Sequence, residues 1–222
     1  MSLFHSPSLV TSGLVLCLDA GNSKSYPGSG TTWTDLSGRG NTVPMTNGAG
    51  YDGQSLIYDG TTQRTSIDLP ALKTENITLS TWFKQTKIYA GSDGIVVAAM
   101  TDHNNWRNGY YIYYGYAMYF ATGNGSNFYS TSTSISLNAW VNIVGTFSGS
   151  TLNMYKNGTL VASETGSLSY AASNRFGIAA GSGYPSAAYF GGNIGQISYY
   201  NRALSAAEIS QNFNALRGRY GV

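Results

Sequence analysis

The segment Asn138-Ala-Trp-Val-Asn-Ile-Val-Gly-Thr-Phe-Ser-Gly-Ser-Thr-Leu-Asn-Met-Tyr-Lys-Asn-Gly158 decides the architecture of this chain. Trp140, Asn142, Val144 and Thr146 alternate with Val141, Ile143, Gly145 and Phe147, the two-residue period of a strand whose faces differ in chemistry. Ser148-Gly-Ser150 interrupts the pattern. Leu152, Met154 and Lys156 then alternate with Asn153 and Tyr155, and Asn157-Gly158 supplies the positive φ angles of a tight hairpin. The segment is a β-meander.

Working outward, a first strand is expected over 13–19. Further short strands are expected near 54–58, 64–68, 77–84, 94–101, 109–114, 116–121, 174–180 and 190–200, besides 140–147 and 151–156. A recurrence of about 8 to 12 residues is that of a sandwich. Residues 1–12 read as an N-terminal arm, 13–222 as one domain, and 22–41 as loop-rich. One helix stands out: Ser205 and Glu208 form a capping box, Ile209, Phe213 and Leu216 recur at helical spacing, and Gly218 is the expected stop. It should pack on the sandwich edge. The fold class is therefore all-β, an antiparallel two-sheet β-sandwich with one short C-terminal helix. Trp82 and Trp140 are read as buried aromatics.

Four segments carry a family resemblance. The central hairpin, Ser55-Leu-Ile-Tyr-Asp-Gly60, Ile77-Thr-Leu-Ser-Thr-Trp-Phe83 and the stretch Tyr189–Ile209 resemble laminin-G-like domains of the concanavalin A-like lectin/glucanase superfamily. Trp33-Thr-Asp-Leu-Ser-Gly-Arg-Gly-Asn41 is similar to a loop common in such domains. The opening Phe4–Trp33 and the ending Tyr200–Gly221 resemble stand-alone laminin-G-like proteins of tailed bacteriophages, notably those of cyanobacteria. That resemblance implies a virion surface role, as capsid decoration or as a fibre or tail component. It implies other virion proteins as partners and localisation to the virion after assembly in a host cytoplasm.

Composition narrows the classes further. The 222 residues include 28 glycines and 18 tyrosines, only 10% are charged, and the net charge is +2 without a Lys/Arg cluster. Nucleic acid has no phosphate-tracking surface to meet. Cys17 is the sole cysteine, which excludes an intrachain disulfide, and it reads as a small buried hydrophobe. Neither a secretion signal nor a membrane span is recognisable, so no membrane partner is expected. Asn76-Ile-Thr78, Asn124-Gly-Ser126 and Asn157-Gly-Thr159 match glycosylation sequons but read as turn chemistry. A homo-oligomer is compatible with all of this.

Retaining glucanases need two carboxylates about 5–5.5 Å apart, carried in related folds on one strand as Glu-x-Asp-x-x-Glu. Glu75, Glu164 and Glu208 do not form that pattern, and His5 and His103 lack the company of a triad. The expectation is a protein without catalytic residues. A Ca²⁺ site would draw on Asp19, Asp59 or Asp93, with Asp102 a further loop carboxylate. Asp before Gly more simply builds a turn, and Asp59-Gly-Thr-Thr-Gln63 lacks a second carboxylate, so no metal or other cofactor is expected. The best candidate ligand surface is Trp106–Phe120. A carbohydrate would use His103, Asn105, Trp106, Arg107, Tyr110 and Tyr114, with aromatic faces against sugar C–H groups and polar side chains on hydroxyls. Alternation, however, sends about half of these tyrosines into the core, and tyrosine-rich strands also suit rigid assembly interfaces.

Overall fold

The computed structural model describes residues 7–87, 95–102, 107–115, 117–180 and 189–222. In chain order its strands are β1 (Leu14–Asp19), β2 (Thr32–Thr34), β3 (Thr42–Pro44), β4 (Gly50–Tyr51), β5 (Leu56–Asp59), β6 (Thr65–Ile67), β7 (Ile77–Gln85) and β8 (Ile95–Thr101). They continue as β9 (Asn108–Tyr114), β10 (Met118–Asn124), β11 (Phe128–Thr133), β12 (Trp140–Ser148), β13 (Thr151–Lys156), β14 (Thr159–Thr165), β15 (Arg175–Ile178) and β16 (Gly191–Tyr200), before the helix α1 (Ala206–Tyr220). One sheet runs β14-β13-β12-β7-β16-β5-β4, with β1 also paired to β16, and the other runs β11-β10-β9-β8-β15-β6. The named pairs are antiparallel. The expected two-sheet sandwich is present.

The deciding hairpin behaves as its alternation requires. β12 pairs with β13 from Ile143↔Lys156 to Ser148↔Thr151, and Asn157 and Gly158 take φ values of 50° and 79° at the next turn. Val141, Ile143 and Phe147 enter the main core with Leu152 and Met154, beside Ile112, Phe120 and Phe176 of the facing sheet. Gly145 lies on the same face because the Phe120 ring rests against its backbone, where a Cβ would collide with it. Trp140, Asn142, Val144 and Thr146 point to the other side of the sheet.

That other side is not solvent. α1 lies across it, with Trp82 stacked on Phe213 (5.6 Å between centroids) and on Tyr220 (4.5 Å). β7 and β16 are consequently buried on both faces, which removes the alternating exposure of an ordinary sandwich strand. The helix was expected on the sandwich edge, but the aromatic side chains of β7 and β12 make the sheet face the better partner. It also outruns its expected stop. Gly218 sits inside the helix, and Gly221, at φ 69°, ends it with its N–H donating to the Arg217 carbonyl. The added turn carries Tyr220 to Trp82 and Trp140, and Arg219 to the Asp19 carboxylate at the end of β1. Ser205 and Glu208 form the capping box as expected.

The N-terminal arm is docked over its described part. Asn212 of α1 accepts from the Val10 N–H (2.8 Å) while the Tyr200 hydroxyl donates to the Val10 carbonyl (3.0 Å). Gln211 donates to the Ser8 carbonyl and Arg202 to that of Ser12. Leu9 packs beside Trp82 and Leu216. These contacts make residues 8–12 a strap that ties the two ends of the chain together. Trp140, read as buried, is half-buried at the margin of α1, between Tyr220 and the Lys84 ammonium.

Five strands were not anticipated: β2, β3, β4, β11 and β14. Three of them are two or three residues long, β11 reads Phe-Tyr-Ser-Thr-Ser-Thr, and β14 is an exposed edge. β2 and β3 bracket the loop that opens at Asp35. Its buried carboxylate accepts from the Cys17 and Ser37 N–H groups and from the Ser37 hydroxyl and the Asn41 amide. The Trp-x-Asp-Leu-Ser-Gly-x-Gly-Asn pattern is thus a carboxylate-centred clasp on β1, with the Asn41 amide also donating to the Val15 carbonyl.

Candidate ligand surface

β9 and β10 form the expected tyrosine hairpin, with Tyr114 opposite Met118 and Tyr113 opposite Tyr119. Their inward positions Tyr110, Ile112, Met118 and Phe120 belong to the main core. Tyr110 is fully buried, stacks on Tyr199 and donates to the Leu72 carbonyl, so this candidate has no surface to offer a ligand. Tyr114 is half-buried against the same core. Arg107 is exposed, and its Nη1 donates to the Ser126 carbonyl (3.1 Å). His103, Asn105 and Trp106 lie outside the described residues.

The opposite parity builds a different surface. Tyr111, Tyr113 and Tyr119 project from the outer face of this sheet, and Phe128 of β11 joins them. Tyr113 and Tyr119 stack with centroids 5.0 Å apart and planes 13° from parallel. Phe128 stands edge-on to Tyr111 at 5.7 Å and lies 6.1 Å from Tyr113. Tyr111 is buried beneath this group, its hydroxyl donating to the Asn108 carbonyl, while Tyr113, Tyr119 and Phe128 are half-buried. Burial, and secondarily the neighbouring Tyr119, pushes the Tyr113 phenol above its usual range. Ser130 and Ser132 adjoin on β11, opposite Ala121 and Tyr119. Parity was the signal available for these residues: Ile112 between Tyr110 and Tyr114 marks the inward face of β9.

The carboxylates are engaged elsewhere. Asp19 pairs with Arg219 and caps the Gly21 N–H. Asp59 accepts from the Thr61, Thr62 and Gln63 N–H groups, which outweigh partial burial and hold its carboxyl well below the usual range. It builds its own turn. Asp102 is buried and accepts from the Ser173 hydroxyl, and Asp93 lies outside the described residues. Among the described residues no three His, Cys, Asp or Glu side chains gather as a metal cage. Glu208 is bound by Arg202, which with the Ser205 N–H pulls its pKa down to about 2. Glu164 lies on β14 and accepts from the Thr165 N–H, and Glu75 precedes β7. The three glutamates sit on separate elements. The sequon asparagines are built into turns and strand ends: Asn157 accepts from the Asn142 N–H, Asn124 from Ser126 and Asn127, and Asn76 from Gly149. No described helix is long and apolar enough to cross a membrane.

Two antiparallel sheets, a face-bound helix and an aromatic outer surface define a sandwich of the lectin kind. The profile of the laminin-G-like (Laminin_G_3) family, described as the concanavalin A-like lectin/glucanases superfamily, matches residues 59–210, and the chain belongs to that family. No match was found among curated protein sequences. Solved structures share the fold at low identity. Domain 4 of AbnA, a GH43 extracellular arabinanase from Geobacillus stearothermophilus, solved in complex with arabinotriose, is 14% identical with a TM-score of 0.69, over 90% of this chain and 98% of that one. The binding domain of botulinum neurotoxin DC, solved with rat synaptotagmin II, is 13% identical with a TM-score of 0.71, over 93% of this chain and 52% of that one. The same toxin domain solved with SialylT gives 13% identity and a TM-score of 0.70, again over 93% and 52%. The chain spans about half the length of these toxin chains.

Proposed function

We propose that this protein is a non-catalytic glycan-binding module whose ligand lies on the outer face of the six-stranded sheet. The observation that carries this reading is the cluster Tyr111, Tyr113, Tyr119 and Phe128, four rings in mutual contact on a sheet face that needs none of them for the main core. Such rings receive the C–H side of a sugar, and the Ser130 and Ser132 hydroxyls are placed to bond its hydroxyls. The likeness to domains solved with arabinotriose and with SialylT supports the ligand class. Separation of Glu75, Glu164 and Glu208 supports binding without hydrolysis, and binding on this face calls for no metal.

The setting we propose is the surface of a tailed-phage particle, as a capsid decoration or a fibre or tail component. It is supported by the resemblance of both chain ends to stand-alone phage laminin-G-like proteins. Labelling the protein on intact particles tests the setting, and its absence from purified particles would remove it.

A glycan array tests the binding. Wild type should retain a defined set of glycans, and Tyr113→Ala and Tyr119→Ala should each weaken retention about five- to tenfold, the loss expected when a stacking ring worth about 1–1.5 kcal/mol is removed. Reducing ends should not accumulate when the bound polymer is incubated with the protein. Unaltered retention by both variants would move the site elsewhere, and turnover would make the protein an enzyme.

A further inference from the structure

The chain contains four Asn-Gly steps, Asn47-Gly48, Asn108-Gly109, Asn124-Gly125 and Asn157-Gly158. Each is equipped for the same reaction, because a glycine main-chain nitrogen has no side chain beside it to keep it from the preceding side-chain amide carbon. Three of the steps are locked. The Gly109 N–H donates to the Ser169 carbonyl (2.9 Å), Asn108 Oδ1 accepts from the Ser169 hydroxyl, and the main chain of Met100 fills the space where a Gly109 Cβ would lie. The Gly125 N–H donates to the Arg107 carbonyl (2.8 Å), and the Asn124 side chain accepts from the Ser126 and Asn127 N–H groups while donating to the Ser167 hydroxyl. Asn157 accepts from the Asn142 N–H, and Gly158 packs against the Phe213 ring of α1. Asn47 differs. It is exposed, and its side chain makes one bond, of 3.1 Å, to the Thr62 carbonyl. Nothing lies within 4 Å of the place a Gly48 Cβ would take, and among the described residues no group accepts from the Gly48 N–H.

We propose that Asn47 is a site of spontaneous deamidation in the folded protein, with water as the sole co-reactant. The Gly48 main-chain nitrogen gives up its proton to solvent and attacks Asn47 Cγ. The new N–Cγ bond closes a succinimide ring, the Cγ–Nδ2 bond breaks, and the amide nitrogen takes a proton from solvent and leaves as ammonia. Water then opens the ring at either carbonyl. Cleavage of the N–Cγ bond gives aspartate, and cleavage of the bond from that nitrogen to the Asn47 main-chain carbonyl carbon gives isoaspartate, in which the chain runs on through the side-chain carbon. Ring closure requires Asn47 to leave its left-handed conformation, φ 62°, with Gly48 at 63°. Beside the bridge between Thr46 and Arg64, the Asn47–Thr62 bond is the one side-chain hydrogen bond this motion breaks, and an asparagine is relieved of strain when it leaves that region. Either product replaces an amide donor with a carboxylate, so the Thr62 carbonyl loses this partner and the chain gains one negative charge.

The full wild-type chain, aged at mildly alkaline pH and then digested, reads the outcome by peptide mass spectrometry, with isoaspartyl methyltransferase labelling to register isoaspartate. The peptide bearing Asn47 should gain one mass unit and become a methyl acceptor. Those bearing Asn108, Asn124 and Asn157 should convert at least about tenfold more slowly, because each must first break its hydrogen bonds in a local opening. In denaturant the four steps should convert at similar rates, since the locks are then gone. Asn47→Ser should remove the early mass gain. An Asn47 peptide that keeps its mass in the folded protein, or another of the four steps converting as fast, overturns the proposal; a lead for Asn47 that persists undiminished in denaturant overturns the structural account of its selection.

Discussion

At the scale of single residues, space and charge explain what composition leaves open. Gly145 has an ordinary strand conformation, so its missing side chain is explained by the Phe120 ring that occupies the place of a Cβ. Gly145→Ala should therefore cost about 1–3 kcal/mol, as overpacking does, measured by chemical denaturation. A cost below about 0.5 kcal/mol would mean that Phe120 repacks freely. Glu208 shows how pH enters. Its folded pKa is depressed to about 2 from 4.5 by Arg202 and the Ser205 N–H, so its stabilisation is present above pH 4.5 and is lost as pH falls toward 2. Asp59, also depressed, acts in the same direction. Wild type should lose stability across that acid window, and Glu208→Gln should flatten part of the loss; an identical acid profile for the variant would sever the link. Cys17 is buried on β1 and its pKa is raised to about 11, chiefly by burial. The native protein should resist alkylation at pH 8 and react only when unfolded.

At the scale of elements, the helix and the strap hold the chain ends to one sheet face. Deleting residues 1–12 removes Leu9 from the margin of Trp82 and four hydrogen bonds to the Ser8, Val10 and Ser12 main chain. A domain that still folds but is about 2–4 kcal/mol less stable is expected, and an unchanged melting curve would make the strap ornamental. Trp82→Ala should cost about 3–5 kcal/mol because Phe213 and Tyr220 flank the ring, whereas Trp140→Ala should cost clearly less, with one side open to Lys84 and solvent. This pair shows how far the sequence could be read. Alternation set Trp140 and Val141 on opposite faces without saying which one met the core, and nothing in a strand pattern says that a helix some 65 residues later covers the Trp140 face. The long strands β7, β12 and β16 were legible because their apolar runs serve packing. β11 and β14 were not, since one is Ser/Thr-rich and the other an edge without burial. At the ligand surface the tyrosine hairpin was recognisable, yet Tyr110 and Tyr114 were chosen over Tyr111 and Tyr113. The inward parity of Ile112 was the deciding clue, and Phe128 becomes visible only through the pairing of β10 with β11.

At the scale of the whole molecule, the two outer faces of the sandwich are differently committed. α1 and the strap cover the eight-stranded sheet, while the six-stranded sheet presents its aromatic cluster on the opposite side. A module built in this way can be held by one face and present the other. Cys17 makes the arrangement testable, because its buried thiol leaves an engineered surface cysteine as the site of labelling. Ser132→Cys, exposed beside Tyr119, and Asn214→Cys, exposed on α1, place a biotin–streptavidin adduct on the two faces. An adduct of protein size at Ser132 should abolish glycan retention by covering the rings, and the same adduct at Asn214 should leave retention within about twofold of the unlabelled protein, since an exposed position outside a binding surface contributes little. Retention lost only at Asn214 would place the ligand on the helix face, and retention lost at both would refute the division of labour between the faces.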